Sequence, residues 1–228
     1  MSGRSSAREL GRFAGLAGLA CGLAACGKSA PKKPEADPAA VGKLAARMAN
    51  QTPTPAAVRE CTPGDLAGGP TLTFRALLQL GHQKIPTRPE EQDWINPTEL
   101  DAPAVRTLLD SKDQTAQRQA AAELLAAPFW IVYKVDYVNA PMALQVKELK
   151  IGTIGTRVIR YEKTGLPSCV QVFFFQNDKK VSDDAIALSD KAQIDPAVAK
   201  ILRDDLRQQF IKLAPRGSAT PAPPVTTK

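Results

Sequence analysis

Histidine occurs once in the 228 residues, at His82, and aromatic side chains make up only 5% of the chain. These shortages exclude much chemistry. A zinc centre needs three or four ligands, and Cys61, Cys169 and His82 would supply three at most, at no family spacing. A serine triad would have to use His82 as its base, yet no Gly-x-Ser-x-Gly turn accompanies it. No phosphate loop is present. Gly152-Thr153-Ile154-Gly155-Thr156 follows an expected strand, but no helix follows it, so it fails the context of a dinucleotide site and reads as a hairpin loop. The carboxylate pairs Glu90-Glu91 and Asp183-Asp184 lack the alternating ligands of a calcium loop and read as solvated loop charge. No run of apolar residues is long enough for a bilayer-spanning helix. The expectation is therefore a chain without cofactor, metal or enzymatic activity. The catalytic alternative is a hydrolase using His82 with a carboxylate.

The formal charge of +7 suggests an anionic partner until its distribution is read. Arg4, Arg8 and Arg12 stand against Glu9 in the first stretch. Lys28, Lys32, Lys33, Lys43, Arg47 and Arg59 stand against Glu35, Asp37 and Glu60, and Arg216 and Lys228 sit at the end. The excess is thus carried outside 61–213, where the charges balance. A nucleic-acid binder concentrates basic charge on its folded face, so no nucleic-acid partner is expected.

The beginning of the chain is patterned as an export signal. Residues 1–12 are polar and basic, and residues 13–25 contain only Phe13, Ala, Gly, Leu and Cys21, a short apolar region after a basic one. The stretch ends Leu23-Ala24-Ala25-Cys26. This motif resembles the lipobox of bacterial lipoproteins, and the resemblance covers only the first 26 residues. It implies cleavage after residue 25 and a lipid on the Cys26 thiol. Cys21 is the weaker acceptor, because Gly18 stands where the motif has leucine. Gly27 follows the cysteine instead of Asp, which by the family's sorting convention implies the outer membrane. The expected partners are then a membrane, through the lipid, and an envelope protein. Lys28, Lys32 and Lys33 either lean on anionic head groups or are solvated linker charge.

Removal of the signal and lipidation of Cys26 leave Cys61 and Cys169. The compartment outside the inner membrane is oxidising, so the two are expected to form a disulfide. Two free thiols are one alternative; a redox pair or a catalytic thiol is the other, but no Cys-x-x-Cys is present.

The remainder divides by composition. Residues 26–60, with Pro31, Pro34, Pro38, Pro53 and Pro55, read as a flexible tether with at most a turn or two of helix around Val41–Ala49. Residues 214–228 read as a disordered Pro-rich tail. Residues 61–213 read as one α+β domain. Helices are expected over Thr71–Gly81, from Pro103 through Leu109, and over 114–127. Strands are expected over Trp130–Val138, Leu144–Ile151, Arg157–Glu162 and Cys169–Gln176, forming an antiparallel four-stranded meander. Trp130–Val138 alternates Ile131, Tyr133, Val135 and Tyr137 against Lys134 and Asp136. A last helix begins at Asp195-Pro196, with Val198, Ile201, Leu202, Leu206, Phe210 and Leu213 as an apolar stripe over the sheet. The aromatics Trp130, Tyr133, Tyr137 and Phe173–Phe175 are mostly core, and an exposed subset of them would make a recognition face. The reading that follows is a non-catalytic envelope lipoprotein that binds or scaffolds. A small-ligand carrier and an assembly factor are its alternatives.

Overall fold

A computed structural model describes residues 33–86, 97–140, 142–145, 148–150, 152–177 and 196–213. Cys26, the Glu90-Glu91 and Asp183-Asp184 pairs and residues 214–228 lie outside them. The fold class is α+β, with a mostly antiparallel sheet.

The folded region begins well before Cys61. Helix α1 spans Pro38–Asn50, inside the expected tether. Asp37 caps it by accepting from Ala39 N at 2.9 Å, and Pro38 occupies the first helical position, where its missing N–H costs nothing. Val41, Ala45 and Met48 recur on one face and are fully buried. Burying a side chain such as Val or Met is worth about 1.5–3 kcal/mol, enough to order a segment whose proline content alone suggests disorder. The Ala36 N–H also donates to the Arg118 carbonyl at 3.0 Å.

The expected helix over Thr71–Gly81 is two elements. Strand β1 is Thr71–Thr73 and helix α2 is Phe74–Leu80. Thr73 is the boundary, because its hydroxyl accepts from Ala76 N at 3.1 Å and caps the helix. Helices α3 (Pro103–Asp110) and α4 (Gln114–Ala126) follow as expected. Strand β2 is Phe129–Asn139. It pairs with β1 in parallel, Thr71 opposite Ile131, which demands a crossover; α2, α3 and α4 supply it.

The described residues of the expected strand Leu144–Ile151 are not in the main sheet. Met142–Gln145 (β3) pairs antiparallel with Glu148–Lys150 (β4) in a separate two-stranded ribbon, so the stretch folds back on itself. Strand β5 spans Thr153–Glu162 and absorbs all but Gly152 of the residues read as a hairpin loop. Strand β6 spans Pro167–Gln176. The main sheet runs β1-β2-β5-β6, so it has four strands, with one of them parallel and differently placed from the expected meander. Gly165 makes the β5–β6 turn with φ +80°, a conformation that favours glycine.

Both faces of the sheet carry helices. On one, Trp130, Val132, Ile159, Tyr161 and Val170 meet α1 to α4. On the other, Ile131, Tyr133, Ile154, Val158 and Phe175 meet Leu206 and Phe210 of α5, Pro196–Leu213. Val198, Ala199, Leu202, Leu206 and Phe210 of α5 are buried, but Ile201 is exposed. At 100° per residue it lies well off the line through Leu202, Leu206 and Phe210. Cys61 and Cys169 are joined by a disulfide, with Cα atoms 5.0 Å apart. This pins the start of the expected domain onto β6.

Candidate functional site

The helical layer does not cover its sheet face to the end. The row Val132–Ile159–Val170 is buried beneath it. The next row is Lys134–Arg157–Val172, and the one beyond is Tyr137–Gly155–Phe174. The border is marked by Lys134, whose ammonium lies 4.9 Å from the centroid of the Phe74 ring on α2.

Tyr137 reaches this face through a change of register. The pairing shifts between Val135 and Tyr137, so Asp136 is an extra residue and the alternation changes phase. Sequence alternation placed Tyr137 beside Ile131, Tyr133 and Val135; the bulge puts it on the opposite face, with Lys134. Arg157 holds the bulge, donating to Asp136 through Nε at 2.5 Å and Nη2 at 2.6 Å. It also donates to the Pro53 carbonyl.

The Tyr137 ring then lies across Gly155, where a Cβ would sit 2.1 Å from its Cε1. The ring reaches Phe174 on the third strand, with centroids 6.2 Å apart. Tyr137, Val172 and Phe174 are 42%, 57% and 58% exposed. They form one apolar surface on β2 and β6, joined across Gly155 of the intervening β5. Asn139, Thr153 and Gln176 make the row beyond it, and Asn139 donates to Thr153 Oγ1 at 3.0 Å. Of the aromatics picked out in the sequence, Tyr137 and Phe174 make up this surface, while Trp130 and Tyr133 are core.

The other sequence candidates have local structural roles. His82 is exposed, with φ +51°, just beyond α2. Its N–H donates to the Gln79 carbonyl and that of Gln83 to the Leu78 carbonyl, the bonding pattern of a left-handed helix stop. Cys61 and Cys169 are buried and bonded to each other. Beside them Asp65 accepts from Arg59 at 2.8 Å, Arg160 at 3.1 Å and Thr62 N at 2.8 Å. The Arg59 guanidinium, helped by Thr62, holds the Asp65 carboxyl well below the usual carboxylate range. Asp101 is buried and accepts from Thr73 N at 2.6 Å. Burial pushes its carboxyl up despite that bond. No group of three metal-ligating side chains occurs among the described residues.

An open groove of about 500 Å³ runs between α3 and α4, with Lys33, Thr107, Gln119 and Glu123 among its lining. Neither His82 nor Tyr137, Val172 and Phe174 is among its lining. Comparison of the chain with protein-family models, with curated proteins and with solved structures finds no match.

Proposed function

We propose that this chain is a lipoprotein of the bacterial cell envelope that acts by binding a protein partner, not by catalysis. The observation that carries the binding half is the Tyr137–Val172–Phe174 surface. A bulge, an ion pair and a side-chain-free glycine are combined to present an aromatic ring there. Large exposed aromatics beside a polar row are the composition of recognition surfaces.

The mooring half rests on Leu23-Ala24-Ala25-Cys26. The Cys61–Cys169 bond supports it, since disulfides persist in exported proteins and are rare in reducing compartments. Gly27 after the cysteine favours the outer membrane. With the Ala36 N–H bonded to α4, about ten residues separate the lipid from the body, a reach of at most about 35 Å. The partner is accordingly a membrane-resident or membrane-apposed protein.

Mass spectrometry of detergent-extracted protein tests the mooring. A lipid mass on a peptide beginning at Cys26 is expected, with release of the Cys26→Ala chain from membranes. An unmodified terminus, or a variant that stays in the membrane fraction, contradicts it.

A further inference from the structure

Val170 uses both its backbone groups away from β5. Its N–H donates to the Arg59 carbonyl and its carbonyl accepts from Cys61 N, each at 3.0 Å. Arg59–Cys61 thus runs beside β6 as a short parallel strand, bridged at Glu60 and Val170. It leaves at Thr62-Pro63, where Thr62 and Asp65 form a reciprocal cap on a 3-10 turn, Pro63–Leu66. Pro63 has no N–H with which to continue the pairing.

Alternation along β6 is unbroken from Val170 to Gln176, because the register shift with β5 falls at Arg160 and Tyr161. Val172, Phe174 and Gln176 therefore aim their backbone groups at the same outer edge as Val170. The Gln176 carbonyl accepts from Gln209 Nε2 of α5 at 3.0 Å. Between these two occupied positions, the N–H and C=O of Val172 and Phe174 have no outer-edge hydrogen bond among the described residues. The side chains of those two residues are on the exposed apolar surface, beside Tyr137. No charged residue lies between Cys169 and Asn177.

We infer that the β6 edge between Gln171 and Phe175 accepts, by strand addition, a short, extended, uncharged segment of a partner protein carrying apolar side chains at alternate positions. The edge amides and carbonyls supply main-chain hydrogen bonds, and the Tyr137–Val172–Phe174 surface takes the side chains. The pairing continues along the same edge as Arg59–Cys61. The open stretch between Arg59–Cys61 and Gln209 is half the length of β6, which spans ten residues, and this favours a short segment over a second copy of β6. The inference rests on reading the chain as a binding protein and names the place and chemistry of binding.

The test uses the full-length mature chain in detergent and a blocked seven-residue peptide of alternating threonine and valine. Two further peptides carry N-methyl groups on one or the other alternate set of amides. Binding is expected to slow hydrogen exchange at the Val172 and Phe174 amides by about tenfold. One methylated peptide is expected to lose binding and the other to keep it within about twofold, since only one set of amides faces the edge. Val172→Pro removes one edge donor at a position where strands tolerate proline, and Phe174→Thr removes the ring while keeping a strand-forming residue; each is expected to weaken binding by about tenfold. Equal effects of the two methylations overturn the inference, as does absence of binding at about 1 mM peptide. Protection of the two amides without peptide, rising with protein concentration, would assign the edge to a second copy and overturn it too. A lipidated chain that ignores the peptides sinks the strand site alone; a peptide-binding chain without lipid on Cys26 sinks the mooring alone.

Discussion

Tyr137 and Gly155 face each other across β2 and β5, and the ring of the first occupies the place a side chain on the second would take, 2.1 Å from a Cβ built there. The exposed surface depends on that absence. Gly155→Val is expected to lift the ring from its seat and separate it from Phe174, at a cost of about 1–2 kcal/mol in urea unfolding. Because the ring is partly exposed it has room to move, so the fold survives. Loss of ring-to-ring contacts in an NMR spectrum, with secondary structure intact, is the matching observation. Unchanged stability and unchanged ring contacts would contradict it.

The parts of this arrangement were unequally legible in the sequence. Helix α5 and strands β2 and β6 follow from periodicity and capping, and the disulfide follows from the cysteine count together with the oxidising compartment that the lipobox resemblance implies. Gly155 was visible only as one half of a glycine-flanked segment that looked like a loop. The bulge at Asp136 was invisible, because a phase change in β2 arises from its register with β5, not from its own alternation. Helix α1 was hidden for a different reason. Its flanking prolines signal disorder by composition, while the burial that orders it, through Val41, Ala45 and Met48, is supplied by distant elements. The parallel strand β1 is three residues long, too short to carry a period.

His82 holds a left-handed conformation with φ +51° at the end of α2, a place where glycine is the usual occupant. A non-glycine residue there costs about 1 kcal/mol or more. His82→Gly is therefore expected to leave the fold intact and raise stability by up to about 1 kcal/mol in urea titration. A histidine held in that backbone for its chemistry would give a different result, with a function lost and little stability gained.

The bond between Cys61 and Cys169 closes a sequence separation of 108 residues. In the chain-entropy description a loop of about 100 residues is worth about 4.7 kcal/mol, and removal of native bridges from small exported domains typically costs about 2–5 kcal/mol. The paired Cys61→Ala and Cys169→Ala chain is expected to lose about 3 kcal/mol. Both sulfurs are buried, so reductant is expected to act slowly on the native chain and quickly in urea. Rapid reduction without unfolding would show that the Arg59–Cys61 segment opens freely from β6.

Tyr161 is fully buried under the helical layer, and its hydroxyl has no hydrogen-bond partner among the described residues. Thr52 lies close enough to moderate its titration, but its own hydroxyl donates to the Ala49 carbonyl at 3.0 Å. Burial pushes the Tyr161 phenol up to about 12, with Thr52 and Arg157 opposing. Burial drives the Tyr133 phenol up as well. A raised phenol keeps its proton more tightly folded than unfolded, so its contribution is intact below pH 10 and is lost as pH rises through about 12. A shift of that size corresponds to about 2–3 kcal/mol from Tyr161. Phenolate absorbance from Tyr133 and Tyr161 is expected to emerge together with unfolding, not ahead of it. Tyr161→Phe removes the Tyr161 share of the alkaline dependence, leaving that of Tyr133, and removes an unbonded buried hydroxyl, so at pH 7 it is expected to be neutral or stabilising by up to about 1 kcal/mol. A loss of more than about 2 kcal/mol in that variant would mean that the hydroxyl has a bonded partner after all, since breaking a buried hydrogen bond costs that much. The same titration would then show the phenol ionising at a different pH from the one burial alone dictates.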